Sequence, residues 1–203
     1  MTLLRRLVGV LLVLAGGAAL ALGLWFHNFL GPGGMARFSV EPVGSTPIVI
    51  EPSVLNRTSL PVTISVTPAT GSTASIVVGT PSDAAAALGD TVVDVVGPVS
   101  VRDQTAPVTR RGTDADGELA SVDVWRTTKT ADGPTDISIS QASAPETVVI
   151  SPSAGGKLDS VTLAWTRETW ARQTMGLIVG GGGAAVAGLA AALWPRRRRE
   201  VTR

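Results

Sequence analysis

The stretch 176-GLIVGGGGAAVAGLAAALWPRRRR-199 decides how the rest of the chain is read. Four consecutive glycines suggest a loop, a linker or a phosphate cradle. The spacing fits neither GxGxxG nor a P-loop, and no Lys-Ser/Thr pair follows. A linker is not embedded in a long uncharged apolar run, and Thr174 to Trp194 carries no charge. About twenty helical residues reach about 30 Å, the thickness of a bilayer's hydrocarbon core. A charge at the centre of that core costs about 2.5–3.5 kcal/mol on insertion scales. The run therefore predicts a transmembrane helix over residues 173–194 and a basic tail over 195–203.

A second such run, 7-LVGVLLVLAGGAALALGLWF-26, also lacks charge. A cleaved signal peptide is the rival reading, since Arg5 and Arg6 would make its basic start. Signal peptides usually carry a core of about 7–15 apolar residues, and this run is longer. Ala19-Leu20-Ala21 resembles a cleavage site but lies inside the run. An uncleaved helix over 7–27 is expected, after a short N-terminus at 1–6. Arg5 and Arg6 flank the first helix, and Arg196, Arg197, Arg198 and Arg199 flank the second. By the positive-inside rule both ends face the cytoplasm of a plasma membrane, with residues 28–172 outside it. Trp25 and Trp170 would then mark the outer interface and Trp194 the inner one. Residues 28–172 hold ten Lys/Arg against fifteen Asp/Glu, a net charge of −5. The cations are confined to the two ends, so a nucleic-acid partner is not expected. The arginine tail suits a lipid bilayer, either as topology determinant or on anionic headgroups.

Residues 31-GPGG-34 break the first helix. Beyond Phe38, short β-rich runs alternate with turn residues: 46–50, 60–66, 73–78, 91–96, 98–102, 119–125, 135–139, 146–150 and 158–165. Leu60, Val62, Ile64 and Val66 share one face, as do Val161, Leu163 and Trp165. Such period-two patterns predict antiparallel strands. The expected fold is mainly β: an antiparallel β-sandwich or partly open barrel in residues 28–172, inserted between two transmembrane helices. In 82-SDAAAALGD-90, Ser82 suits a helix N-cap and Gly89 a helix end, predicting a short connector helix. Residues 103–118 and 126–134 read as loops. The words 48-IVIEPS-53 and 148-VVISPS-153 are alike, as are 64-ISVTPAT-70 and 137-ISISQAS-143; a duplicated half-domain or chance would both give this.

Chemistry is sparse. There is no cysteine, which excludes disulfides and thiolate sites. The one histidine, His27, lies at the end of the first apolar run and cannot join a Ser–His–Asp triad within the domain. The stretch 114-DADGELASVD-123 fails as an EF-hand: from Asp114, Gly117 is fourth and position twelve is Trp125. A loop calcium site from Asp114, Asp116 and Glu118 is the alternative to a solvated turn. The sequon 56-NRT-58 reads as an ordinary turn. No catalytic residues, no metal and no cofactor are expected.

Two stretches carry a resemblance: 75-SIVVGTPSDAAAALGD-90 and 145-PETVVISPSAGGKLDSVTLAWTRETWA-171. In them the chain resembles an uncharacterised group of actinobacterial membrane proteins with two spans and an exported β-domain. The resemblance implies the topology and supplies no catalytic residues. In that group an aromatic often precedes the leucine of the short helix; here Ala87 takes that place.

Function is expected to be non-catalytic: an accessory or assembly subunit of an envelope complex. Gly176, Gly180, Ala184, Gly188 and Ala192 recur every four residues as a stripe for close helix packing. Ala15, Ala19 and Gly23 offer a shorter stripe on the first helix. The two stripes could meet each other or a membrane-protein partner. The alternative class is a ligand-binding domain for a lipid or glycan, with Trp125 and Trp165 as candidate platforms.

Overall fold

The computed structural model describes residues 2–31, 33–113, 123–140 and 145–193. Trp194, Arg196–Arg199 and the candidate calcium ligands Asp114, Asp116 and Glu118 lie outside the described residues. The chain divides into two compact units, Met1–Met35 with Arg167–Arg203, and Ala36–Thr166.

The described elements follow in chain order: α1 (Thr2–Leu30), β1 (Met35–Glu41), β2 (Ile48–Ile50), α2 (Pro52–Leu55), β3 (Val62–Pro68), β4 (Ala74–Gly79), α3 (Pro81–Leu88), β5 (Val93–Val96), β6 (Thr105–Arg111), β7 (Thr127–Ala131), β8 (Thr135–Ile139), β9 (Thr147–Pro152), β10 (Leu158–Thr166) and α4 (Glu168–Leu193). Both α1 and α4 are long and apolar enough to cross a bilayer. They run antiparallel, since Gly9 lies against Gly188 and Gly23 against Ile178.

The β unit is one ten-stranded sheet in the order β7-β4-β9-β2-β5-β6-β1-β10-β3-β8. Its two edges, β7 and β8, are consecutive in the chain and joined by Asp132-Gly133-Pro134. The sheet therefore curls most of the way towards closure, and β3 contacts both β4 and β7. The order contains a regularity. Each successive pair of strands (β1/β2, β3/β4, β5/β6, β7/β8, β9/β10) sends one member to each half of the sheet. The halves β6-β1-β10-β3-β8 and β5-β2-β9-β4-β7 thus have matching orders, joined through β5–β6.

Strand β6 makes that join. Its start, Thr105–Pro107, pairs with β1. The remainder, Val108–Arg111, pairs with β5. Pro107 sits at the switch, where a missing N–H removes a ladder bond, and its carbonyl accepts from Gly97 N at 2.7 Å.

The interior is built by alternation. In β3, Val62, Ile64 and Val66 are fully buried. They lie opposite Trp165, Leu163 and Val161 of β10. The Trp165 ring packs edge-on against Phe38, with centroids 5.5 Å apart. On the other half, Ile48, Ile150 and Ile76 lie in register, as do Ile50, Val148 and Val78. Each buried aliphatic side chain of this kind contributes about 1.5–3 kcal/mol relative to exposure.

The mainly-β class of the expectation stands, but the sheet is mixed rather than antiparallel. Strands β1/β6 and β2/β5 pair in parallel. Three strands, β1, β6 and β7, lie where none was expected, β1 although Ala36, Phe38 and Val40 alternate into the interior. Residues 98–102 form no strand; they lead into a turn closed by a Ser100–Thr105 bridge. The expected loops hold β6 and β7 instead. Both strands are polar and largely exposed, so they lack the apolar alternation that marks a strand. Of the expected strand 119–125, the described residues Asp123 and Val124 are turn and Trp125 lies in no strand. The short helix is present as α3, with its N-cap at Thr80 rather than Ser82: Thr80 Oγ1 accepts from Asp83 N at 3.2 Å. The look-alike words lie on neighbouring strands: β2 is hydrogen-bonded to β9, and β3 to β8.

Candidate functional site

Two features outside the interior could do something: the faces of the helix pair and a groove on the sheet.

In the helix pair, Gly9, Gly16 and Gly23 of α1 and Thr174, Gly181 and Gly188 of α4 are buried. Both sets recur every seven residues. A methyl group added at Gly16 would lie 2.6 Å from the Gly181 carbonyl oxygen and 2.6 Å from the Ala185 nitrogen. One at Gly188 would lie 2.6 Å from the Gly9 carbonyl oxygen. The backbones are thus close enough that only glycine fits at these crossings. Thr174 satisfies its hydroxyl within its own helix, donating to the Trp170 carbonyl at 2.8 Å.

The seam follows a period of seven, where the expected stripe has a period of four. Four residues advance a helix by about 40° beyond a full turn, whereas seven fall short of two turns by about 20°. A four-residue stripe therefore winds off the partner within a few turns. The structure splits it: Ala184, Gly188 and Ala192 meet α1, while Gly176 and Gly180 have nothing within 4 Å of an added methyl. Gly183 is equally bare, and Ala187 and Ala190 are exposed. On α1, Gly23 packs on Leu177 and Ile178, and the Ala19 backbone touches Gly181. Ala15 is exposed. At the end of α1, Trp25 stacks on Phe29 with centroids 5.9 Å apart, next to His27. Trp170 begins α4, and Arg5 and Arg6 lie in the first turns of α1.

The groove lies on the outer face of the sheet. Val49, Val77, Val93, Val95 and Val149 form a second apolar cluster there, covered in part by Leu88 of α3 and by Trp125. Trp125 lies over Gly79, where a methyl would come 2.9 Å from its ring. Trp165, the other expected platform, is buried in the interior. Between α3 and the strands a concavity of about 460 Å³ remains, floored by Val49, Val93 and Val95 and walled by Ala84 and Leu88. A second concavity of about 270 Å³ adjoins it, lined by Ser53, Arg57, Gly97 and Thr109. Glu51 and Arg111 line both and are ion-paired at 3.3 Å.

Elsewhere, the buried Asp94 carboxylate receives two bonds from Arg110, at 2.9 and 3.0 Å. Arg110 also donates to Thr46 at 3.1 Å. The Asp94 hydrogen bond and charge hold the Arg110 pKa above its usual value. That pair links β5 to β6, where the two residues lie in register, and lines neither concavity. Among the described residues there is no group of three or more His, Asp or Glu able to hold a metal. The sequon residue Asn56 ends α2 in a turn.

No protein-family model matches the chain, and no curated protein or solved structure matches it.

Proposed function

We propose that the chain is a non-catalytic two-span membrane protein acting as an accessory or assembly subunit of a cell-envelope complex. Both ends lie in the cytoplasm and the β unit outside. One observation carries the reading: the bare face of α4 at Gly176, Gly180 and Gly183. Each glycine costs a helix about 1 kcal/mol relative to alanine. At Gly181 and Gly188 that cost is offset by close packing on α1. At the bare face nothing in the helix pair offsets it, and a partner helix would. The exposure of Leu4, Leu11, Leu14, Leu22 and Val179, all more than half accessible, supports a lipid surround over a soluble core helix. The seven-residue seam supports retention of α1, since cleavage would bare Gly181 and Gly188. The antiparallel pairing supports placing both ends on one side.

Gentle detergent extraction tests the subunit role. Wild type co-purifies with a membrane protein, and Gly176→Leu with Gly180→Leu loses it. Recovery of monomer alone from wild type sinks the idea. The chain lacks cysteine, so single cysteines report topology cleanly. An impermeant maleimide should label Ser82→Cys on intact cells and spare Thr202→Cys; the reverse pattern overturns the orientation.

The groove favours a second reading, a ligand-binding domain. Its volume falls in the range of small-molecule sites, and it lies on the outer face of the sheet.

A further inference from the structure

We infer that the two adjoining concavities form one amphipathic site for a single-chain lipid acid. The aliphatic chain lies under α3 and the carboxylate sits between Arg57 and Arg111. The inference rests on the ligand-binding reading and gives that ligand a chemistry.

The two arms differ in kind. The larger arm is floored by Val49, Val93 and Val95 and offers few polar groups to satisfy, which suits a methylene chain. The smaller arm is lined by Arg57, Ser53 and Arg111. Arg57 forms no ion pair among the described residues and is exposed. Arg111 spends one nitrogen on Glu51 at 3.3 Å. Its side chain is 62% accessible, so its other donors can reach an anion. A guanidinium carries five donors in a fixed fork suited to a carboxylate. Two cations against the single Glu51 make this a locally positive end in a section whose net charge is −5. The Glu51–Arg111 pair stands where the arms meet, so an acid bound there shares Arg111 with Glu51.

The strands exclude an extended peptide as the natural occupant. β5 and β2 are interior strands, with β6 and β9 on their far sides. No free sheet edge borders the floor, so a peptide would gain no ladder hydrogen bonds there. A chain that needs none loses nothing.

The test uses the full chain in phosphatidylcholine nanodiscs. Probes are a hexadecanoic acid bearing a mid-chain diazirine and the matching alcohol. Mass spectrometry locates the adducts, and labelling of α1 and α4 serves as internal reference for partitioning into lipid. The acid should label Ala84–Leu88 or the Val93–Val95 strand at least about tenfold more than the alcohol, since a charge-assisted hydrogen bond contributes about 1.5–3 kcal/mol. Arg57→Gln with Arg111→Gln should erase that preference. Ala85→Trp, which fills the apolar arm on an exposed position of α3, should block labelling with both arginines intact. Equal labelling by acid and alcohol, unchanged in the arginine variant, overturns the acid assignment and leaves a ligand groove standing. Absence of groove adducts from either probe, with normal labelling of the helices, overturns both.

Discussion

Gly112 shows what a single residue carries. Its φ is +90°, and a methyl there would run into the Thr91 carbonyl. Gly71, at φ +79°, has open space instead. Gly71→Ala should therefore lose about 1 kcal/mol from backbone strain alone, and Gly112→Ala clearly more, because the carbonyl must also move. Thermal melts of the two variants separate the effects; equal losses would show that the loop yields freely. Asp94 and Arg110 make the complementary case. Arg110 is mostly exposed and Asp94 is buried, so removing the arginine leaves a desolvated carboxylate without its partner. Arg110→Ala should lower the melting temperature more than Asp94→Asn. Arg110's folded pKa is raised above its unfolded value. Its contribution is thus complete below the unfolded value and fades only as pH rises through that strongly alkaline range. Between pH 5 and 9, approximately, the Arg110-dependent part of stability should stay flat; a slope there would implicate another group.

At the scale of elements, the helix pair sorts the glycines of α4 by direction. Gly181→Leu inserts a side chain where an added methyl already meets the Leu20 nitrogen at 2.6 Å. It should separate α1 from α4, which crosslinking of cysteines placed along the two helices would report. Gly180→Leu, one residue away, should leave that crosslinking unchanged and affect only association with a partner. Loss of the helix pair in both variants would mean that the seam is not confined to one face. The outer cluster is a second element with its own cover. Trp125→Ala strips the lid from Gly79 and part of the valine patch. It should cost stability but less than Leu163→Ala in the interior, for which about 2–5 kcal/mol is usual.

At the scale of the molecule, alternate strands are dealt to the two halves of the sheet, so neither half is local in sequence. β9 and β10 come late in the chain, yet each is interior to its half, β9 between β4 and β2 and β10 between β1 and β3. Residues 36–166, expressed alone, should fold as a β protein. Residues 36–133 should not, because both halves then lack a central strand; circular dichroism and amide-exchange protection distinguish these. The many non-local pairings also place folding in the millisecond-to-second range expected of such topologies.

How much could be read beforehand follows the same physics. The two apolar helices, the connector helix and most of the buried strands were legible, because burial writes a period into the residues that undergo it. β3 and β10 alternate since one of their faces meets the interior. β6 and β7 were not legible. Their side chains are mostly exposed, and only backbone pairing with neighbours far along the chain makes them strands. The groove was invisible for a related reason: its floor valines sit on β2 and β5, within a cluster spread over four strands that only the strand order brings together. Within α4 the sequence determined that glycines would allow close approach. Which of them do so was decided by the tertiary structure, because a helix turns about 100° per residue and a partner can follow only those residues that stay beneath it. Sequence by itself thus determined two apolar helices around a β-rich section. The mixed pairing, the seam through Gly16 and Gly181, and the lining of one concavity by both Arg57 and Arg111 were decided by contacts between residues distant in the chain, which local patterns do not record.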